Sequence, residues 1–472
     1  MSCQGFTLDK LGMDGVIHLV GIGGAGMSAI ATVLLEMGYR AEGSDIKESA
    51  NTKRLRRLGA VVGIGHRREN LAPPGLVVKS SAVSDENVEI VESSRMGIPI
   101  ITRAEMLAAI MSMRKGIAIA GTHGKTTTSS MVAQMLLGCG TDPSFLIGGE
   151  LNEIGGNARW GSGEYLIAEA DESDGSLLYL RPWSAILTNV DGDHLDYYEN
   201  LEHTARVFLE FLLLLPGGGF AVVCADDTPA LEVGLSFKEK GGRVLFYGRG
   251  TRNDYGFEGE ELRADGSEFE AFYLGENLGR VKTRVHGLHN VYNSLAAIAV
   301  GHQLGLSPEG AIEEIGRFQG VRRRFEAVGS RKGVQVIDDY AHHPTEIRAV
   351  LDLAGKIAKG RVVVVFQPHR YSRTRLLANE FGRSFEAADV IVVADVYGAG
   401  EDPEPGVTGK LVADNILESD PARQVTYVPS RAELARSVVS IVQEGDLVIT
   451  MGAGDITQCG REILELLGDD EG

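Results

Sequence analysis

The chain has 472 residues, enough for about three domains of roughly 150 residues each. Its 65 acidic residues outnumber its 46 lysines and arginines, and the net charge of −19 makes nucleic acid and anionic membranes unfavourable partners. The four cysteines are scattered without a Cys-x-x-Cys pair, and no apolar run is long enough for a signal peptide or a membrane span. We therefore expect a cytoplasmic protein without disulfides or zinc knuckles.

The first predicted strand, over residues 16–20, leads directly into a glycine-rich turn. The turn reads Gly-Ile-Gly-Gly-Ala-Gly over residues 21–26, and a helical pattern follows over residues 27–37. Asp45 lies about twenty residues beyond the glycines, as in the dinucleotide fingerprint. Alone, this pattern predicts only that a diphosphate can approach the N-terminus of the helix. Further strand and helix patterns follow, so we predict a doubly wound nucleotide-binding domain over residues 1–113.

The second predicted domain, residues 114–320, opens with the motif that is central to the chain. An apolar strand pattern over residues 117–120 runs into Gly-Thr-His-Gly-Lys-Thr at residues 121–126, and a helical pattern follows. The helix N-terminus would attract an anion, Lys125 would add charge for nucleotide phosphates, and the Thr126 hydroxyl could bind Mg²⁺. The glycine spacing is shorter than that of the usual P-loop. A glycine-rich turn with a solvated lysine is the alternative.

Two further strand patterns in this domain end in polar residues. One precedes Glu169 in Glu-Ala-Asp-Glu-Ser, and the other precedes His194 in Asp-Gly-Asp-His. Because ligands of open α/β sheets bind beyond the carboxyl ends of the strands, we predict that Glu169 and His194 lie near the phosphates. Glu169 would hold magnesium, and His194 would either be a second magnesium ligand or carry a proton. The alternatives are a helix cap or a solvated acid for Glu169, and a histidine without a chemical role.

The third predicted domain covers residues 321–472. Its near-continuous apolar runs are typical of parallel strands that are buried on both faces. Arg370 and Arg373 follow one of these strands, and forked guanidinium groups there are suited to binding a carboxylate. His342 and His343 precede a proline, where they could either cap a helix or take part in catalysis.

Together, these motifs resemble those of the Mur ligases. The matching segments run in order from residue 20 to residue 371. The resemblance implies three α/β domains: an N-terminal Rossmann-like UDP-binding domain, a central P-loop-type ATP-binding domain and a C-terminal Rossmann-like domain. It also implies a bacterial ligase of peptidoglycan precursor synthesis that uses ATP and Mg²⁺ and joins L-alanine to UDP-N-acetylmuramate. The first domain would then bind a UDP-sugar and not NAD.

The resemblance further implies a role for each matched residue. Asn290 would contact adenine and Asp339 the ribose, while His342 would join Lys125, Glu169 and His194 as a catalytic residue. The magnesium ligands would be Thr126, Glu169 and His194. The UDP-sugar residues would be Gly23, Gly24, Ala25, Gly26, Met27, Ser28, Asp45, Ser81 and Arg103. The ATP residues would be Gly121, Thr122, Gly124, Lys125, Thr126, Thr127, Asn290, Arg324 and Asp339. The amino-acid residues would be Tyr340, Arg370 and Arg373.

One departure from the family pattern indicates which branch of the family the chain resembles. Several sister ligases carry a carbamoylated lysine shortly after the Asp-His motif, whereas residues 207–212 here read Val-Phe-Leu-Glu-Phe-Leu. This fits the branch that adds alanine. The alternatives are a ligase that attaches a recycled peptide to the same UDP-sugar, an NAD-dependent dehydrogenase, which would explain only the first domain, and a non-catalytic nucleotide sensor.

Overall fold

The computed structural model describes residues 7–8, 11, 15–72, 74–151, 156–173, 175–192, 200–263 and 266–468. The described residues within Met1–Glu260, Phe269–Lys282 and Val291–Phe318 form one compact unit, and those within Glu261–Glu268, Thr283–Asn290 and Gln319–Gly472 form a second. Three successive α/β sheets are built along the chain, which confirms the predicted fold class. Among the described residues, no helix combines the length and the apolar character needed to cross a membrane.

The first sheet has five parallel strands in the order β3-β2-β1-β4-β5. The strand order reverses between β1 and β4, and the glycine-rich turn follows β1 at this switch point, where α/β sheets bind ligands. The strands are β1 Val16–Val20, β2 Arg40–Asp45, β3 Val61–Ile64, β4 Leu76–Lys79 and β5 Ile100–Thr102; the helices are α1 Ala25–Glu36, α2 Ala50–Arg57, α3 Val88–Arg95 and α4 Arg103–Met111.

The second sheet has ten strands in the order β15-β14-β13-β12-β11-β10-β6-β9-β7-β8. Its strand β6 is parallel to both β9 and β10, so the carboxyl ends of all three strands lie at one edge. The strands are β6 Lys115–Ala120, β7 Ser144–Leu151, β8 Gly156–Arg159, β9 Tyr165–Glu169, β10 Ser184–Leu187, β11 Phe220–Cys224, β12 Val244–Arg249, β13 Tyr255–Arg263, β14 Gly266–Tyr273 and β15 Glu276–Thr283. The helices are α5 Lys125–Gly138, α6 Leu201–Leu212, α7 Thr228–Glu239, α8 Leu288–Gln303 and α9 Pro308–Arg317.

The third sheet has six strands in the order β16-β17-β21-β18-β19-β20, of which only the edge strand β16 is antiparallel to its neighbour. Apolar cores lie on both faces, and β18 and β19 are buried throughout, as predicted. The strands are β16 Glu326–Arg331, β17 Val334–Asp339, β18 Val362–Phe366, β19 Val390–Ala394, β20 Gln424–Val428 and β21 Leu447–Met451. The helices are α10 Pro344–Ile357, α11 Tyr371–Leu376, α12 Ala378–Gly382, α13 Gly409–Ser419, α14 Arg431–Val439 and α15 Thr457–Leu467.

Candidate active site

A tight glycine turn connects β6 to α5. Gly121 and Gly124 have φ angles of +126° and +81°, a backbone region that favours glycine. A Cβ atom at Gly121 would lie 2.1 Å from Thr188 Oγ1, so close packing also requires glycine there. The turn ends at the N-terminus of α5, whose N–H groups and helix dipole favour an anion, as the sequence predicted.

The loop that follows β10 holds this turn in place. Asn189 accepts a hydrogen bond from His123 N at 2.8 Å and donates one to His123 O at 3.0 Å. The Thr122 hydroxyl accepts from Asp191 N at 2.9 Å, and His123 Nε2 lies 3.0 Å from Asp191 Oδ2. Thr122, predicted to bind ATP, is therefore a buried anchor of the turn through its side chain. The role of Asn189 was not predicted, because nothing in the sequence distinguishes it from a loop residue.

Lys125, the first residue of α5, is held by two backbone carbonyls and one carboxylate. Its ammonium donates to Gly121 O at 2.6 Å, to Thr122 O at 3.0 Å and to both carboxylate oxygens of Glu172 at 2.7 Å. Burial acts to lower the pKa of Lys125, but Glu172 and then Asp171 raise it above its usual value, so the ammonium stays charged. Burial also raises the pKa of Glu172, although the charge of Lys125 acts to lower it.

Glu169 lies at the end of β9 beside the first turn of α5, as predicted. Its carboxylate accepts from the Thr126 and Ser129 hydroxyls, each at 3.1 Å, and from Gly148 N at 2.6 Å. A hydroxyl that donates to a carboxylate keeps its lone pairs as acceptors, so Thr126 can still bind a cation. Clustered oxygen ligands suit Mg²⁺, and this pair therefore fits the predicted metal. His194, the other predicted metal ligand, lies outside the described residues.

The remaining predicted ATP residue of this turn, Thr127, is buried in α5. Its side chain therefore lies in the helix packing, and only its backbone N–H remains as a group that could face an anion at this helix N-terminus.

The glycine-rich turn after β1 is held by Asp45. The Asp45 carboxylate accepts from Gly23 N at 2.9 Å, and Asn51 Nδ2 donates to Gly23 O at 2.9 Å. A Cβ atom at Gly23 would lie 2.8 Å from Asp45 Oδ2 and 2.9 Å from Thr52 Cγ2, whereas the nearest atom to one at Gly24 is Gly21 O at 3.4 Å. Asp45 therefore has a structural role in the turn, in addition to the predicted role in UDP-sugar binding.

Arg103 and Gly26, predicted separately as UDP-sugar residues, lie together. A Cβ atom at Gly26 would lie 3.1 Å from Arg103 Cδ and 3.3 Å from its Nη1. The capping box of α4, formed by Thr102 and Glu105, fixes Arg103 in the first turn of that helix. Arg103 Nη2 also donates to Asp171 Oδ2 at 3.3 Å. One guanidinium group therefore lies beside the glycine-rich turn and beside the acidic loop after β9.

Other predicted UDP-sugar residues differ in their surroundings. Met27 and Ser28 are buried in α1, and the Ser28 hydroxyl donates to Ala25 O at 3.0 Å. Their side chains therefore face the core and leave the backbone of the helix N-terminus to contact a ligand. Ser81 is exposed in the loop after β4, where its neighbour Ser80 approaches Gly21.

In the second unit, Asp339 lies at the carboxyl end of β17. Its oxygens accept from Phe325 N and Ala341 N, each at 2.7 Å, and burial raises its pKa to about 6. Asn290 donates to His286 O at 2.7 Å, and Arg324 Nη1 lies 3.7 Å from Glu346 Oε1. Asp339 therefore orders the arginine-rich segment before β16. The predicted ATP contacts of Asp339, Asn290 and Arg324 stay predictions.

The carboxyl ends of β17 and β18 carry the predicted amino-acid residues. The ring of His342 lies 5.3 Å from that of Tyr340 and 5.7 Å from that of His369. Burial, together with the nearby charges of His342, Arg373 and Arg370, lowers the pKa of His369 to about 3. The two arginines predicted to bind a carboxylate therefore lie close enough to act on the pKa of His369, which stays neutral. The sequence analysis predicted no role for His369.

The two adjacent histidines have different roles. His343 caps α10: its side chain accepts from Thr345 N at 3.4 Å, and Glu346 accepts from His343 N at 3.4 Å. His342 Nδ1 lies 2.9 Å from Tyr340 O. The capping alternative therefore holds for His343, and His342 remains the catalytic candidate.

Three family models match the chain in order: the Mur ligase family catalytic domain at residues 16–115, the Mur ligase middle domain at 119–301 and the Mur ligase glutamate ligase domain at 323–454. A UDP-N-acetylmuramate–L-alanine ligase from Pelotomaculum thermopropionicum is 46% identical over 456 residues, which cover 96% of this chain and 98% of that protein. One from Anaeromyxobacter dehalogenans is 48% identical over 451 residues, with coverage of 96% and 97%.

Solved structures agree with these relatives. The UDP-N-acetylmuramate–alanine ligase of Thermotoga maritima superposes with a TM-score of 0.82 at 31% identity, covering 96% of this chain and 99% of that one. A murein peptide ligase from Psychrobacter arcticus superposes with a TM-score of 0.72 at 25% identity, covering 97% and 100%. Because the family models and the relatives span nearly the whole length, the chain belongs to the Mur ligase family.

Proposed function

We propose that the protein joins L-alanine to the lactyl carboxylate of UDP-N-acetylmuramate in an ATP-dependent reaction that passes through an acyl phosphate. The observation that supports this most strongly is that relatives with this activity in their names match nearly the full length of the chain. In addition, Lys125, Thr126 and Glu169 lie together at one edge of the second sheet. The protein would act in the cytoplasm, in the synthesis of peptidoglycan precursors.

A carboxylate is unreactive toward amines, so the reaction needs activation. A carboxylate oxygen would attack the γ-phosphorus of ATP, releasing ADP and forming the acyl phosphate. The amine of alanine would then attack the acyl carbon and expel phosphate through a tetrahedral intermediate. Lys125 would stabilise the charge of the transferring phosphoryl group from a fixed position. Magnesium, for which Thr126 and Glu169 offer oxygen ligands, would neutralise phosphate charge when bound.

The glycine-rich turn after β1 would hold the diphosphate of the UDP-sugar. Gly24 and Gly26 leave the backbone open at the N-terminus of α1, and Arg103 lies above Gly26. A dehydrogenase would also use such a turn, but it would leave the second and third domains without a function. The family assignment covers all three domains and so favours the UDP-sugar.

The cluster of Arg370, Arg373 and His342 around His369 would bind the carboxylate of the incoming amino acid. The alternative substrate is a recycled peptide, as for the murein peptide ligase that the chain also resembles. The alanine ligase structure gives both the higher identity and the higher TM-score, so alanine is the favoured substrate.

The direct test is to incubate the protein with ATP, Mg²⁺, UDP-N-acetylmuramate and one amine at a time, and to identify the amide product by mass spectrometry. The amines would be L-alanine, L-serine, glycine and the tripeptide L-alanyl-γ-D-glutamyl-meso-diaminopimelate. The proposal expects the L-alanine adduct as the main product. Formation of the tripeptide adduct alone would assign the peptide ligase instead, and ATP hydrolysis or nucleotide binding without any adduct would favour a sensor.

A further inference from the structure

The ammonium of Lys125 has no donor left for a phosphate in this structure. An ammonium group has three N–H donors, and here they are directed at Gly121 O, Thr122 O and the carboxylate of Glu172. The contact with Glu172 is an ion pair in which the carboxylate is 2% exposed and the lysine side chain 17%. A nucleotide phosphate can therefore engage Lys125 only if one of these acceptors gives way.

Glu172 is the acceptor that a phosphate would displace. The two carbonyls belong to consecutive residues of the turn that would surround the phosphate, and the Asn189 loop holds this turn in place. Glu172 instead carries the same sign of charge as the phosphate and competes with it directly for the ammonium. Asp171 and Glu169 also act on Lys125 through their charge, but of these three acids it is Glu172 that accepts hydrogen bonds from the ammonium.

We propose that Glu172 is a positioning residue that holds Lys125 in the nucleotide-free turn and must release it when nucleotide binds. This inference rests on the proposed ATP-dependent function. The Lys125–Glu172 ion pair keeps the buried ammonium satisfied and correctly oriented between turnovers, and it lowers the affinity for nucleotide by the strength of the interaction that has to be broken. The pair would also help ADP to leave, because it re-forms as the phosphates depart.

The test is a set of dissociation constants for ADP with Mg²⁺, measured by titration calorimetry. Glu172→Gln keeps the shape of the side chain but removes its charge, so we expect ADP to bind about ten-fold more tightly, the effect of losing one hydrogen bond between charged groups. Glu172→Asp keeps the charge but shortens the reach, so it should also tighten binding. In turnover, Glu172→Gln should lower the KM for ATP without raising kcat.

Two controls separate the ion pair from general effects of charge. Asp171→Asn removes a neighbouring charge of the same loop that pairs with Arg103, and it should change ADP affinity by less than about two-fold because this carboxylate is partly exposed. In a Lys125→Ala background, Glu172→Gln should have no effect, since a residue that acts through Lys125 cannot act without it.

The inference is overturned if Glu172→Gln and Glu172→Asp, each with a normal melting temperature, bind ADP no more tightly than the wild type. It is also overturned if the gain in affinity persists without Lys125. If Glu172→Gln fails to fold, the Glu172→Asp variant decides. A wild type that binds no nucleotide would instead contradict the proposed function, so the two failures are distinguishable.

Discussion

Arg103 Nη2 lies 3.3 Å from Asp171 Oδ2, and the same side chain covers Gly26 in the glycine-rich turn of the first domain. This ion pair connects the turn proposed to bind the UDP-sugar with the acidic loop that also carries Glu172, the partner of Lys125. The two proposed nucleotide sites of the first unit are therefore joined by one arginine.

The first prediction follows from this arginine. Arg103→Met keeps most of the aliphatic side chain over Gly26 but removes the guanidinium group, so it should weaken UDP-N-acetylmuramate binding by about ten-fold, as expected for one charge-assisted hydrogen bond. Binding of ADP should change much less. Titration calorimetry with both ligands measures this. Arg95→Met, on an exposed arginine of the same domain that pairs with Glu92, is the control. Unchanged affinity for the UDP-sugar would exclude Arg103 from that site.

The second prediction concerns Lys125. Lys125→Ala should reduce kcat by about 10²-fold, because one preorganised donor to developing phosphoryl charge is worth roughly 3 kcal/mol. Lys115→Ala is a matched control, since Lys115 is the first residue of β6, the strand that leads into the turn, and pairs with Glu164 near solvent. Steady-state rates at saturating ATP measure the effect. Similar rates for the two variants would contradict the assignment of the phosphate-binding turn.

Several parts of this site could be predicted from the sequence and others could not. The apolar runs of the third domain predicted strands that are buried on both faces, and the Gly-Lys-Thr triplet predicted a glycine turn between a strand and a helix, because these signals are local. Glu172 was not predicted as the partner of Lys125. The strand pattern distinguished Glu169, which lies at the end of β9, but nothing in the sequence distinguished Asp171 from Glu172, whose side chain is buried.

The hydrophobic pattern of the sequence also failed to predict where some helices and strands lie and which distant residues contact each other. Helix α5 begins at Lys125, directly after Gly124, which has a left-handed conformation. The polar residues of its first turn give no helical pattern, so the sequence did not predict where the helix starts. The strands β7 and β8 were not predicted, since their segments contain glycine and polar residues without a clear alternation. The burial of the Glu89 carboxylate was not predicted either, because its partners His18 and Ser44 lie far from it in the chain.

The third prediction concerns stability at acidic pH. Glu89 is buried in the first domain, where His18, Ser44, Asn70 and Arg67 N contact its carboxylate. Burial acts to raise the pKa of Glu89, but the sum of these hydrogen bonds lowers it from 4.5 to about 2. Because the folded-state pKa lies below the unfolded value, the carboxylate stabilises the fold above pH 4.5, and this contribution is lost as pH falls toward 2.

The expected loss is on the order of 3 kcal/mol in the free energy of unfolding. Urea unfolding at a series of pH values measures it. Glu89→Gln should be less stable than the wild type at neutral pH and should show a flatter decline below pH 4.5. Glu69→Gln, at an exposed position of the same domain, should follow the wild type. A decline in Glu89→Gln as steep as that of the wild type would show that another group causes the acid sensitivity.

The fourth prediction concerns recognition of the amino acid. Arg373→Lys and Arg370→Lys should each raise the KM for L-alanine by about ten-fold and leave the KM for ATP nearly unchanged, because lysine cannot bind a carboxylate through a fork of two donors. Alaninamide, which lacks the carboxylate, should be a poor substrate of the wild type, and the variants should discriminate less between the two amines. Arg375→Lys, exposed on the same helix and paired with Glu404, is the control. An unchanged KM in both variants would place the carboxylate elsewhere.

The most direct measurement uses UDP-N-acetylmuramate with oxygen-18 in both oxygens of its lactyl carboxylate. If ATP activates that carboxylate as an acyl phosphate, expulsion by L-alanine leaves one labelled oxygen in each phosphate released and the other in the new amide. Mass spectrometry of the phosphate and of the product reads out both positions. We predict one oxygen-18 per phosphate, formed only when ATP, the UDP-sugar and L-alanine are all present. Unlabelled phosphate formed together with the amide product would contradict the proposed reaction.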